Sequence, residues 1–366
     1  MKDLSLYIHI PFCKTICLYC NFLTFAHKNK KIPKYVESLI KEIESRSREY
    51  TNYKIETIYF GGGTPSLIES GHIQNILDSV RKNFQMSDDA EINIECNPES
   101  LDGGKLEDYL SAGITRISLG IQTFDKKTLW RIARPHDSAT IFRALTSIQL
   151  SNFKNFGTDF IIGLPDQTLE KFKEELDTIL GYNPPHLSFY FLSYDTKKID
   201  LFASDCPAEE QQIAMYEHLT KTLKKMGYIH YEVSNYAKPG FECQHNLRYW
   251  NRREYLGFGI GAHSYIDEAV WENQTDFDAY LENPLLKPEK APLDEELRKM
   301  DYIMLQLRTH KGINRTEYQK KYSDYEALLA KAEQYHATGK LLTDDAGIRA
   351  SEEGFLILDA ITRDLL

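Results

Sequence analysis

Cys13, Cys17 and Cys20 lie within eight positions of one another in the stretch FCKTICLYCNF, residues 12–22. Thiolates at this spacing are soft metal ligands. Zinc is one candidate occupant. A structural zinc site closes with four ligands, so a fourth would have to come from His27 or Cys96, and the usual second C-x2-C pair is absent. An iron–sulfur cluster is the other candidate. Such clusters are normally held by four cysteines. With three, one iron keeps an open coordination position, able to bind and activate a small molecule. The plainest alternative is three unrelated buried cysteines. It fits poorly with Pro11 and the polar pair Lys14-Thr15, which mark a loop.

Other chemistry-bearing residues recur at regular places. GGGTP (61–65), CNPE (96–99), QTFD (122–125) and GLPDQT (163–168) each follow a short β-type run. Gly and Pro alone punctuate βα turns. Five polar or glycine-rich turns in register, counting the cysteine loop, instead describe one rim.

The elements that must carry this rim read as alternating strands and helices. Strands are expected at 4–10, 57–60, 91–95, 116–121, 158–163 and 187–192. Apolar Ile32, Tyr35, Val36, Leu39, Ile40 and Ile43 show near-helical spacing over 33–50. Further helices are expected at 102–112, closed by Gly113, and at 168–180, opened by Thr168. Alternating βα units argue a parallel α/β sheet, closed or open, with its chemistry at the carboxyl ends of the strands. The expected architecture is a partial (β/α)6 TIM-type barrel over 1–265, a linker over 266–293 with three prolines, and a small carboxy-terminal domain over 294–366. The last reads as helices, a hairpin at 341–350 and a final helix from near Ser351, an order similar to a winged helix. Acidic side chains outnumber basic ones there, which argues against DNA.

Composition is consistent with this. The 366 residues carry 44 Lys and Arg against 54 Asp and Glu, a net charge of −10, so nucleic acid is a poor generic partner. No run of 18 apolar residues is present, and the amino-terminal residues lack the apolar core of a signal peptide. A cytoplasmic, reducing location is expected. Six cysteines in a chain this long are too few for a disulfide scaffold.

C-x3-C-x2-C after a first strand, with GGGTP after the second, resembles the radical S-adenosylmethionine (SAM) family. The longer blocks LYIHIPFCKTICLYCNF, YFGGGTPSL, RISLGIQTFD, DFIIGLPDQT, YEVSNYAKPG, HNLRYW and GFGIGAHSY resemble one branch of it. That branch contains oxygen-independent coproporphyrinogen III oxidases (dehydrogenases) and haem chaperones. The resemblance implies that Cys13, Cys17 and Cys20 hold a 4Fe–4S cluster. It implies that the open iron is chelated by the methionine amino and carboxylate groups of SAM, and that an electron from the cluster cleaves the sulfonium to a 5′-deoxyadenosyl radical. It places Tyr7, Tyr19, Gly62, Gly63, Thr64, Glu95, Gln122, Arg134 and Asp159 at SAM. Glu95 and Asp159 suit ammonium or ribose hydroxyls, and Arg134 suits a carboxylate.

Two departures divide the branch. The dehydrogenases carry a further cysteine two places after the third, where this chain has Phe22. They also carry an extension before the first strand, which here is expected to start within five residues of Met1. Both features match the haem chaperones, as does HNLRYW, residues 245–250. The resemblance therefore implies a haem site, with His245 as an iron ligand and Tyr249, Trp250 and Tyr255 against the porphyrin. The plainer reading of His245 is a loop-capping histidine. His263 is a second candidate, although its strand-end position suggests contact with adenosine. His9 and His136 read as supports for the cluster loop and the Arg134 loop. The implied function is delivery of haem to haemoproteins of the respiratory chain, with transient association with membrane haemoproteins and a reductant such as flavodoxin. The enzymatic alternative is oxidative decarboxylation of coproporphyrinogen III. A third reading is a zinc-loaded scaffold without redox chemistry.

Overall fold

A computed structural model describes residues 1–193 and 203–366. Six parallel strands lie side by side in chain order: β1 (Lys2–Ile10), β2 (Tyr53–Gly62), β3 (Gln85–Cys96), β4 (Arg116–Gln122), β5 (Phe156–Ile162) and β6 (His186–Phe191). Helices α1 (Ile32–Arg46), α2 (Ser70–Asn83), α3 (Gly103–Ser111), α4 (Lys126–Arg131), α5 (Ser138–Leu150) and α6 (Leu169–Gly181) occupy the crossovers. This is a mixed α/β partial barrel, and each of the six expected strands is present.

Two-residue alternation along these strands separates a packing face from an interior face. Leu4, Leu6, Ile8 and Ile10 of β1, Ile58 and Phe60 of β2, Ile92 and Ile94 of β3, and Ile117, Leu119 and Ile121 of β4 join the same apolar core as Tyr35, Leu39 and Ile43 of α1. Burial of this face drives the assembly, at roughly 25 cal/mol per Å² of apolar surface. The intervening residues are polar, aromatic or glycine. The lateral register aligns Tyr7 with Tyr59, Tyr59 with Asn93, Glu95 with Ser118, Gly120 with Asp159, and Asp159 with Ser188. Strands buried on both faces usually read as unbroken apolar runs. Here the alternate polar positions form the lining of the barrel.

Both edges of the six-stranded unit are extended. Strand Tyr255–Phe258 pairs in parallel with β1, followed outward by antiparallel strands His263–Ile266, Ala269–Glu272 and Ala291–Pro292. Asn235–Ala237 and Ile229–Glu232 add antiparallel strands beyond β6. The segment 266–293, expected to be a linker, is thus folded onto the barrel. Its helix Phe277–Glu282 stacks Phe277 on Tyr35 with ring centroids 6.1 Å apart and sets Tyr280 against the same ring at 5.3 Å. The prolines that suggested a linker follow this helix, while the apolar residues before them are core.

Residues 302–365 build a second apolar core around Tyr302, Ile303, Tyr318, Leu328, Ile348 and Ile361. Its three-stranded antiparallel sheet runs in the order Ile313–Asn314, Gly347–Ala350, Leu341–Asp344. Backbone bonds tie it to the barrel: Val233 N donates to Arg308 O at 2.8 Å and His310 N to Tyr231 O at 3.1 Å. Among the described residues no helix is long and apolar enough to cross a membrane.

Candidate functional site

The carboxyl ends of the six strands enclose a cavity of about 420 Å³. Cys13, Cys17 and Cys20 line it from the loop after β1. That loop is held by close backbone approach. Gly63 N donates to Ile10 O at 2.9 Å, and Thr64 N to Phe12 O at 2.8 Å. A Cβ on Gly63 would stand 2.7 Å from Phe12 O and 3.0 Å from Cys13 Sγ, so only glycine fits there. Gly62 has φ +117°, and a Cβ on it would meet the His9 ring at 2.6 Å. His9 in turn joins Tyr7 OH through Nδ1 at 3.0 Å and Leu23 O through Nε2 at 2.9 Å, which pins the far end of the loop. Burial pushes the Cys13 thiol up, so without a metal it keeps its proton.

Arg134 reaches the loop from the opposite side. Its guanidinium donates to Asn97 Oδ1 and to Gly120 O, both at 2.8 Å, and Nη1 lies 3.6 Å from Cys17 Sγ and 3.5 Å from Tyr19 OH. Burial opposes its charge, but Tyr19, Cys17 and Glu99 outweigh that. His136, two residues on, is bonded through Nδ1 to Glu99 Oε2 at 2.7 Å and steadies the Arg134 loop. Gln122 closes β4 with φ +65°, a left-handed conformation uncommon outside glycine and typical of functional sites.

Two carboxyls stand on the wall. Glu95 accepts from Tyr59 OH at 2.8 Å and from Gly62 N at 3.2 Å, and burial pushes it up to about 7. Asp159 accepts from Ser118 Oγ at 3.4 Å and is also raised by burial. Asp159 Oδ1, Gln122 Oε1 and Arg134 Nε are buried without a hydrogen-bond partner among the described residues. Orphaned buried polar atoms are costly unless something pairs with them. Three thiols beside unpartnered donor and acceptor groups fit a soft metal cluster next to a polar, zwitterionic molecule. No group of three His, Cys, Asp or Glu side chains among the described residues is arranged to hold a lone ion.

Of the residues expected at SAM, Tyr19, Gly62, Gly63, Thr64, Glu95, Gln122, Arg134 and Asp159 converge on this cavity. Tyr7 does not. It lines a neighbouring cavity and sits behind Tyr59, ring centroids 6.3 Å apart. Sequence reasoning missed the barrel floor, where Arg116, Ser118, His186, Ser188, Tyr190 and Cys243 also line the cavity. Polar residues alternate in 116–118 and 186–190, but that pattern does not say which face lines the barrel, and Cys243 lies outside the strands.

His245 departs most from expectation. It is the second residue of helix α8 (Gln244–Trp250), which follows α7 (Glu209–Lys225), and is completely buried. Nδ1 is bonded to Thr57 Oγ1 at 2.7 Å and Nε2 to Tyr249 OH at 2.9 Å, and burial lowers the ring to about 3, so it is neutral. In this arrangement neither nitrogen is available to an iron. The Glu91 carboxylate accepts from His245 N at 3.0 Å and Gln244 N at 3.2 Å, anchoring the start of the helix inside the barrel.

A partial barrel with three thiols in its first βα loop and a polar lining defines a radical SAM-type scaffold. Comparison with known proteins agrees. Residues 7–179 match the Radical SAM superfamily model. The heme chaperone HemW of Lactococcus lactis is 31% identical over 369 residues, covering 97% of this chain and 95% of the relative. The heme chaperone HemW of Escherichia coli is 39% identical over 271 residues, 73% of this chain and 71% of that one. The solved structure of E. coli coproporphyrinogen III oxidase (HemN), a radical SAM enzyme, shares the fold with a TM-score of 0.86 at 24% identity, covering 100% of this chain and 90% of that one. The chain belongs to the radical SAM superfamily and, within it, to the heme chaperone HemW family. Membership in the superfamily implies a 4Fe–4S cluster and SAM.

Proposed function

We propose that this chain is a haem chaperone that holds a 4Fe–4S cluster, SAM and haem and passes haem to a haemoprotein. The observation that carries the reading is the convergence of Cys13, Cys17 and Cys20 with eight polar or glycine positions on one cavity, in a chain of this family. The three cysteines would ligate the cluster. A cluster held there would supply an electron to the SAM sulfonium. Gly62 and Gly63 would admit the methionine end to the backbone, Arg134 would hold its carboxylate, and Glu95 and Asp159 would accept from its ammonium or from ribose hydroxyls. Phe22, at the position where the dehydrogenases carry a further cysteine, is an exposed aromatic at the mouth. A reductant such as flavodoxin, a cytoplasmic setting and transient docking to membrane haemoproteins belong to the same reading.

The test is anaerobic reconstitution with iron and sulfide, then SAM binding, then haem titration and transfer to an apo-haemoprotein. Cluster absorption, SAM affinity and transferred haem are the expected results. Bound tetrahedral zinc in place of a cluster, or no affinity for haem, overturns the proposal. The fold shared with the E. coli oxidase favours one second reading, decarboxylation of coproporphyrinogen III. Protoporphyrinogen formed from coproporphyrinogen, SAM and a reductant would establish it in place of the first.

A further inference from the structure

A second cavity, of about 630 Å³, opens beside the first. Its size falls in the range of cofactor sites, roughly 300–1,000 Å³. Tyr7, Tyr249, Trp250, Tyr255 and Tyr265 supply its walls, and Asp301 and Leu305 close it from helix Glu295–Leu307 of the carboxy-terminal unit. The aromatic rings are locked to one another: Tyr249 meets Tyr255 edge-on at 4.6 Å, and Tyr255 lies 6.3 Å from Tyr265. Asn21 and Phe22, the two residues after Cys20, border both cavities. The wall between the two cavities is therefore the end of the cysteine loop.

This cavity has what His245 lacks. His263 lines it with a side chain 66% exposed. Its Nε2 lies 3.6 Å from Glu272 Oε1, and among the described residues no hydrogen bond engages Nδ1. At that distance the carboxylate is not hydrogen-bonded to the ring, but it sets a negative charge beside the imidazole and leaves Nδ1 facing no partner. Arg252 lines the same cavity, its guanidinium 5.2 Å from the centre of the Tyr265 ring and 2.9 Å from Glu268. Among the described residues of the lining it is the one Lys or Arg. The cavity's acids are Glu272, which faces His263, and Asp301, which burial raises towards its neutral form.

We infer that this second cavity is the haem site, with the macrocycle between the tyrosine and tryptophan walls, His263 on the iron and Arg252 on a propionate. The inference rests on the haem-chaperone reading and gives it a location. His245 is then a positioning residue. It holds Tyr249, one wall of the slot, through the Nε2–hydroxyl bond.

The experiment titrates ferric haem and iron-free protoporphyrin into the full cluster-loaded chain. His263→Ala should shift the haem Soret band, abolish the nitrogen-ligated electron-spin-resonance signature and weaken haem at least tenfold. It should leave protoporphyrin affinity within about twofold, because the imidazole acts only through iron. Leu305→Trp, which fills the slot from the opposite wall, should weaken both ligands. His245→Ala should weaken both without changing the axial ligand of the haem that still binds. Cluster absorbance is the folding control for each variant. Haem bound by all three variants as by the unaltered chain, with the same spectrum, overturns the location while the chaperone reading stands. No haem bound by the unaltered chain overturns the chaperone reading itself.

Discussion

Arg134 is the residue on which the cluster loop and the strand ends meet. It donates to Asn97 and Gly120 and reaches Cys17 and Tyr19. Lysine keeps the charge but loses the planar fork. Arg134→Lys should therefore weaken SAM binding about tenfold or more, since a hydrogen bond to a charged group contributes roughly 1.5–3 kcal/mol. Equilibrium dialysis of the cluster-loaded protein measures this, and unchanged affinity would remove Arg134 from the site. Glu95 adds a pH dependence. Burial raises its carboxyl from 4.5 to about 7, so below neutrality it is protonated and loses its acceptor charge. SAM affinity should fall as pH drops from 8 to 6, approaching tenfold per unit well below 7. Glu95→Gln should give a flat profile, and a flat profile in the unaltered chain refutes the assignment. Glu95 and Arg134 could be picked from the sequence because they follow strands in recognisable blocks. Arg116 and His186 could not, because inside a strand a polar side chain and its direction are distinguished only by the register of its neighbours.

Among the elements, the loop after β1 depends on the loop after β2. Gly63→Ala would drive a Cβ into Phe12 O and the Cys13 sulfur. The expected result is a displaced cysteine loop, a stability loss of about 1–3 kcal/mol from overpacking and a marked drop in iron per chain after reconstitution. Full iron content in Gly63→Ala would show that the loop is not held this way. The six strands were readable because apolar residues at every second position must face the helices. The tail of the sheet was not. Ala269–Glu272 and the helix Phe277–Glu282 are short, and the three prolines after them dominate the local pattern. Strand pairing of Ala269–Glu272 with His263–Ile266 and the packing of Phe277 and Tyr280 on Tyr35 make this segment part of the barrel.

At the scale of the whole molecule, Glu232 lies where the barrel meets the carboxy-terminal unit, in an isolated bridge with Thr309. Burial raises it from 4.5 to about 7, while Asn235, Trp250 and Arg308 oppose the shift. The folded chain thus binds a proton that the unfolded chain releases. This contribution to stability is complete below pH 4.5 and lost as pH rises through 7, at most about 3 kcal/mol. Glu232→Gln should reduce the difference in urea-unfolding free energy between pH 5 and pH 7.5, and an unchanged difference would refute the buried-acid account.

The order of residues along the chain was enough to determine the three thiols, the rim of turns after the strands and the alternation that makes a barrel. Each is local, set by spacing within one loop or one strand. Tertiary structure decided which side chains share a cavity. It placed Tyr7 outside the cavity of the three cysteines, engaged both ring nitrogens of His245 and set His263 on the same cavity as Tyr249 and Trp250, because those relations depend on which strands pair and in what register. Spacing names the ligands a segment offers, but only the closed sheet determines which space each one faces.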